Sequence, residues 1–438
     1  MGGLSIMCRT DSAMTMGETI KLPPTGGRPP RLLWATPCCL LDTSSGAALS
    51  AREMLRQLAA AGVDVKVLGA SVFDRRAGAS LLEEQLPAWQ QQPGKRVFVR
   101  DGSLTHELIT TASVQRDRLT AAEADAWRAT YEGLLEAFCP DVVWSYGGRT
   151  LELFASAEAR GRGIAHVAYL ANPNFTGTRW LRDTQLAVTP SRATAEHMGN
   201  TLPCPVRAVG RFIAPGGVVA DAHRRERLLF VNPLWCKGAG IVAQLAIMMG
   251  RLRPDIVFEV VEARGTWSPI VRAVTRALGE PRETLPNVVT TPHTADMRPV
   301  YARARLLLAP SLWWEAGPRV VVEAMLNGIP AVITDRGGAP EAMGDGGIRV
   351  QLPSACHELP YTELPGNAAH EDLIRRLIHL FDDEAAYQAL ARKADRVGRD
   401  RHSLTANTRQ LLDALAPIFD TCPGDHARPP DPPAPHGG

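Results

Sequence analysis

The stretch WWEAGPRVVVEAMLNGIP, Trp313 to Pro330, decides how the rest of the chain is read. It follows RLLLAP (305–310), a short apolar run with the length of a buried strand. Pro318 suits a first helical turn, where a missing N–H costs nothing, and Gly328 is a natural C-terminal stop. The order predicted is therefore strand, loop and short helix. Glu315 falls in the loop at the carboxyl end of the strand, and Glu323 falls in the second helical turn among Val320, Val321, Met325 and Leu326. An unpaired carboxylate among valines is costly, so Glu323 calls for a specific hydrogen-bond partner. The free N–H groups of the helix start make a ready anion site. The plainer alternative is a solvated Glu315 and a Glu323 paired with a surface arginine.

Outward from this stretch, strand-like and helix-like runs alternate. RLLWA (31–35), VDVKVLG (63–69), RVFVR (96–100), DVVWSY (141–146), AHVAYL (165–170) and LAVTP (186–190) have strand character. SGAALSAREMLRQLAAAG, stopped by Gly62, and the segments Thr120–Cys139 and Leu151–Arg162 have helical spacing. Residues 211–227 are rich in Pro, Gly and charge and suit a linker. The alternation then restarts with LLFVN (228–232), a helix over Gly238–Arg251, IVFEVVE (256–262), NVVTT (287–291), RLLLAP and IPAVIT (329–334), and ends in consecutive helices from His370 to Phe419. The prediction is an α/β protein of two doubly wound, Rossmann-like domains, 31–210 and 228–420, facing one another across a cleft. Ligands in such sheets sit beyond the carboxyl ends of the strands.

Composition agrees with that size and class. A chain of 438 residues exceeds one ordinary core. With 48 basic and 46 acidic side chains, the net charge of +2 gives no dedicated nucleic-acid or membrane-coating surface. The eight cysteines form no CxxC pair and no zinc-type spacing, which fits a reducing, cytoplasmic setting. No run reaches the roughly 18 apolar residues of a membrane span. Residues 1–30 lack the apolar region of a secretory signal and, like the Pro-rich 421–438, are read as disordered tails, with Met14 or Met16 as alternative starts.

The segment SLWWEAGPRVVVEAMLNGIPAVITDRGGAPEAMGDGG resembles the C-domain signature of the retaining GT-B glycosyltransferases, the family that includes sucrose synthase and bacterial group 1 sugar transferases. The matching features are Glu315, Gly317, Glu323, Ala324-Met325, Gly328-Ile329-Pro330 and Gly337-Gly338 followed by Glu341. LLFVNPLWCKG resembles the first C-domain strand with its Lys-Gly turn, Lys237 and Gly238. NVVTTPHTADMRPVYARARLLLAPS resembles the segment lining the base pocket, TSSGAALSAREML the N-domain glycine loop with Gly46, and VTPSRATAEHM the end of the N-domain.

By that resemblance Glu315 contacts the donor sugar, and Glu323 holds the ribose hydroxyls through two acceptor oxygens. Lys237, the helix start and Arg319 hold the diphosphate, with Gly317, Gly46, Gly337 and Gly338 at the donor. The implied activity is retaining transfer of a hexose-type sugar from a nucleoside-diphosphate sugar, most often a uridine one, to a small-molecule, glycan or lipid-linked acceptor. No cofactor is implied beyond that substrate. No DxD signature indicates a metal; Asp382-Asp383 lies in the terminal helices and is read as a solvated face. A nucleotide-sugar epimerase or hydrolase of the same fold, and a non-catalytic nucleotide-sugar binder, are the alternatives.

The chain departs from the family pattern at three places. The arginine usual after the first C-domain strand is replaced by Val231-Asn232-Pro233, which leaves Arg319 or Arg211 to compensate. The place of a frequent N-domain histidine holds Ala171-Asn172, while His166 falls inside a strand, where packing is the simpler role. The turn after Glu315 reads Ala316-Gly317-Pro318, so one backbone donor is missing. Trp313 and Trp314 are read equally as a wall for a sugar face or as core.

Overall fold

A computed structural model of the chain describes residues 5–7, 28–174 and 177–420. The tail readings, including Met14, Met16 and residues 421–438, lie outside the described residues, except that Ser5–Met7 forms a short strand and that Arg28, in the part read as disordered, is held by Asp141 at 2.7 Å.

Two sheets arise from the two rounds of alternation. The first contains Ser5–Met7 (β1), Arg31–Ala35 (β2), Asp64–Ala70 (β3), Arg96–Asp101 (β4), Leu104–Ile109 (β5), Val142–Ser145 (β6), Ala165–Tyr169 (β7), Leu186–Thr189 (β8) and Val206–Ala208 (β9). Its order is β1-β4-β5-β3-β2-β6-β7-β8-β9. All pairs are parallel except β4 with β5, a hairpin turned at Gly102. The second contains Arg227–Val231 (β10), Phe258–Val261 (β11), Val288–Thr291 (β12), Ala304–Ala309 (β13), Ala331–Thr334 (β14) and Gly347–Val350 (β15), wholly parallel, in the order β12-β11-β10-β13-β14-β15. The order reverses between β10 and β13, and a crevice opens at the carboxyl ends of such neighbours.

Local chemistry explains the boundaries. Thr120 and Glu123 form a reciprocal capping box at the start of helix Ala121–Phe138, which ends at Cys139 in a left-handed conformation. The central strands are buried on both faces and read as continuous apolar runs, such as LLWA in β2 and LLLA in β13. Pro318 stands just before its helix, Arg319–Leu326, rather than inside the first turn, and Gly328 ends it at positive φ.

The last helix, Leu404–Asp420, crosses back to the first sheet. Leu411, Leu412 and Leu415 join the core of Leu32, Trp34 and Leu55, so the segment read as the end of the second domain packs on the first. Asp382 pairs with Arg253, and Asp383 caps helix Glu384–Arg401 through the amide of Ala386. Among the described residues, no helix is long and apolar enough to cross a membrane.

Candidate active site

A cavity of about 600 Å³ lies between the sheets, within the size range of small-molecule sites. Two loops at the β10/β13 reversal form its floor. The loop after β10 carries Asn232 to Gly238, and the loop after β13 carries Ser311 to Pro318. The carbonyl of Cys236 accepts the amides of Leu312 (2.9 Å) and Trp313 (3.3 Å), which joins the two loops. Gly238, at φ +82°, closes the joint: a Cβ there would stand 2.1 Å from the Pro310 carbonyl oxygen.

This joint brings Lys237 to Glu315. Glu315 is only 8% exposed, and its Oε1 accepts from the Lys237 ammonium and from Ser311 Oγ at 2.7 Å. Burial alone would raise the Glu315 carboxyl; the Lys237 charge and these hydrogen bonds outweigh it and hold the group below the ordinary carboxylate range. Lys237 also lies 4.6 Å from the centre of the Trp313 ring. Trp313 therefore walls the cavity. Trp314 also lines the cavity; it stacks on His197 at 3.9 Å and donates Nε1 to Thr194 Oγ1 at 3.1 Å, so it straps the second domain to the first.

Glu323 has the specific partners its position requires. Tyr301 donates its hydroxyl to Oε2 at 2.5 Å, and Arg319 Nε meets Oε1 at 2.6 Å. Arg319 also donates to the Phe212 carbonyl at 3.3 Å, so its guanidinium is held on both sides. Glu315, Lys237, Arg319, Glu323, Gly317 and Gly46 all line the one cavity. Gly46 opens helix Gly46–Ala60 from the first domain, against the Arg319 side chain.

Gly337 and Gly338 do not line the cavity. They lie behind it: the Gly338 amide donates to the Glu315 carbonyl at 2.7 Å, and a Cβ on Gly337 would stand 2.4 Å from that oxygen. Their role is to back the Glu315 loop. Glu341, from the same motif, reaches across to the Ala193 amide at 3.2 Å. Arg211 lies on the N-domain wall, donating to Ser50 Oγ at 3.2 Å and Tyr169 Oη at 3.1 Å. His166 is fully buried between Ser145 and Thr184, and burial lowers it to about 4, so it is a packed neutral imidazole. Asn172 faces the cavity with its oxygen engaged by Asn174.

Four residues that matter here were not singled out from the sequence: Tyr301, Ser311, Glu152 and Arg264. Tyr301 and Ser311 lie within segments whose resemblance was noted, but only the fold shows which carboxylate each serves. Glu152 is buried on the N-domain wall, accepts from Thr36 Oγ1 at 2.7 Å, and burial pushes its carboxyl up to about 7 despite that bond and the Arg116 charge.

The domains meet over this cavity through Thr43 and His293 (2.9 Å), Arg264 and Asp74 (3.5 Å), and Asn174 and the Trp314 carbonyl (2.8 Å). Residues 269–358, which include Glu315, Arg319 and Glu323, match the family model described as "Glycosyl transferases group 1". Over that stretch the chain is similar to the group 1 glycosyltransferases. No curated protein matches the chain in sequence. Among solved structures, the transferase resembles sucrose-phosphate synthase from Thermosynechococcus elongatus, at TM-score 0.65 and 12% identity over 90% of this chain and 100% of that one. It also resembles an α,α-trehalose-phosphate synthase (UDP-forming) from Burkholderia vietnamiensis, at 0.57 and 13% over 90% and 98%. Anabaena Alr3699/HepE in complex with UDP aligns at 0.59 and 15% over 89% and 100%. The two parallel-rich sheets and these likenesses place the transferase in the GT-B fold.

Proposed function

We propose that the chain is a retaining glycosyltransferase that moves a hexose-type sugar from a nucleoside-diphosphate sugar to an acceptor hydroxyl, with a uridine donor the first candidate. The observation that carries this reading is the convergence of Lys237, Glu315, Arg319 and Glu323 on one cavity at the strand-order reversal. Two solved structures of the same fold have UDP in their descriptions, one as a bound ligand and one as a product formed.

In this reading Glu323, rigidly held by Tyr301 and Arg319, accepts the ribose hydroxyls. Glu315 faces the hexose. Lys237 leaves Glu315 to follow the diphosphate as its charge grows. The bond from the anomeric carbon to the diphosphate oxygen breaks, and the acceptor oxygen bonds to that carbon from the same face. The acceptor proton passes to the departing diphosphate, so no protein nucleophile is needed. The first domain supplies the acceptor wall.

A thermal-shift screen with UDP-, GDP- and ADP-hexoses tests the donor assignment. Ligand at 100 times its Kd stabilises by about 2.7 kcal/mol. Proton NMR of the anomeric signal then tests retention. An inverted product would reject the stereochemistry, a free epimer would assign an epimerase, and stabilisation by no nucleotide sugar would reject the function.

A further inference from the structure

Asn232 stands five residues before Lys237, where the family pattern has an arginine. The backbone there takes a left-handed conformation, φ +66°, which turns the side chain toward the neighbouring loop after β11. Asn232 Oδ1 accepts the amides of Arg264 at 3.1 Å and of Gly265 at 3.2 Å. Gly265 fits because its Cα lies close to the loop that carries Asn232: a Cβ would stand 2.4 Å from the Pro233 carbonyl oxygen. The residue at the expected arginine position thus holds the backbone of an arginine in the loop after β11.

Arg264 lines the same cavity as Lys237 and Glu315. Asn232 thereby ties the loop that carries Lys237 to the loop that carries Arg264. The Arg264 guanidinium is under-used. Its Nε is buried without a hydrogen-bond partner, and its ion pair, with Asp74 of the first domain, is long at 3.5 Å. Asp74 has a closer partner in Arg116 at 2.9 Å. Of the other two arginines considered for the role, Arg319 is paired with Glu323, and Arg211, whose Nε also lacks a partner, is tied by its other end to Ser50 and Tyr169 of the first domain.

We propose that Arg264 is the second cation of the diphosphate site, held there by Asn232 as a positioning residue, with the Asp74 carboxylate occupying its guanidinium until donor phosphate displaces it. The proposal rests on the nucleotide-sugar reading above. A guanidinium fork fits two phosphate oxygens at once, which complements the single point charge of Lys237.

The test is calorimetric titration of the full chain with UDP, and saturation-transfer NMR with uridine, for wild type, Arg264→Gln, Arg264→Lys and Asn232→Ala; GDP or ADP with its nucleoside replaces the uridine pair if wild type prefers it. Arg264→Gln is expected to bind the diphosphate about 10- to 100-fold more weakly, the range of charge-assisted hydrogen bonds, with nucleoside binding unchanged. Arg264→Lys recovers part of the loss. Asn232→Ala weakens the diphosphate several-fold in wild type and has no further effect in Arg264→Gln, the non-additivity of a residue that acts through another. Diphosphate affinity within twofold of wild type in Arg264→Gln overturns the Arg264 assignment and leaves the nucleotide-sugar reading standing. Equal losses for diphosphate and nucleoside report a disturbed pocket and overturn it too. A wild-type chain that binds none of the three diphosphates overturns both.

Discussion

Lys237 and Glu315 lie 78 residues apart in the chain and meet as an ion pair on the cavity floor, with the ammonium over the face of Trp313. The pair holds each side chain where its proposed task begins, and Ser311 keeps the carboxylate in place when the lysine leaves. Glu315→Ala is expected to lower turnover by about 100- to 1,000-fold, the scale of losing one preorganised electrostatic contact, while donor affinity changes only a few-fold. Steady-state kinetics with a calorimetric Kd for the donor separates the two. Wild-type turnover would remove Glu315 from the site.

Glu323 has the opposite signature. Its carboxylate satisfies Tyr301 and Arg319 as well as the proposed ribose. Glu323→Ala is expected to weaken nucleotide binding about 10-fold or more, and to cost about 1–3 kcal/mol of stability because a buried hydroxyl loses its acceptor. Urea unfolding reads the second effect without any ligand. A variant as stable as wild type would show that Tyr301 finds another partner.

Glu152 makes stability depend on pH. Burial raises its carboxyl from an ordinary value of 4.5 to about 7, so the folded state binds the proton more tightly than the unfolded chain. Its contribution is therefore most favourable at or below the unfolded value. It is lost as pH rises from about 4.5 to about 7 and stays lost above that, an effect on the order of 3 kcal/mol. Urea midpoints for wild type and Glu152→Gln between pH 5 and pH 8 check this. The variant should lack that component of the fall, so parallel curves would contradict the raised carboxyl.

Gly238→Ala tests the joint between the two loops. A Cβ there meets the Pro310 carbonyl oxygen at 2.1 Å on a backbone at φ +82°. The substitution is expected to cost at least about 2 kcal/mol and to lower turnover by displacing Lys237. Thermal melting and kinetics on one preparation read both. Unchanged values would show that the loops shift apart without consequence.

The periodic parts of the fold were legible in the chain. Largely apolar runs such as RLLLAP and LLFVN predicted β13 and β10 within a residue, because strands buried on both faces leave continuous hydrophobic runs. The hairpin partner β5, LTHELI, carries charge and alternates less cleanly, and it went unread. The placement of Leu404–Asp420 was also illegible, since an amphipathic helix shows which face it buries and not which sheet receives it.

The same division runs through the site. The sequence by itself determined two doubly wound halves, a loop carrying Glu315 after one strand and a helix carrying Glu323 behind it, because strand, turn and helix signals act over a few residues. Only the tertiary structure decided that Lys237 meets Glu315, that Tyr301 and Arg319 hold Glu323, and that Asn232 holds the Arg264 loop. Those pairings depend on which strands lie side by side, and neighbouring strands in this parallel sheet, such as β10 and β13, are far apart in the chain. The packing of two loops at the sheet's reversal brings such residues within hydrogen-bond reach, a distance that residue spacing does not encode.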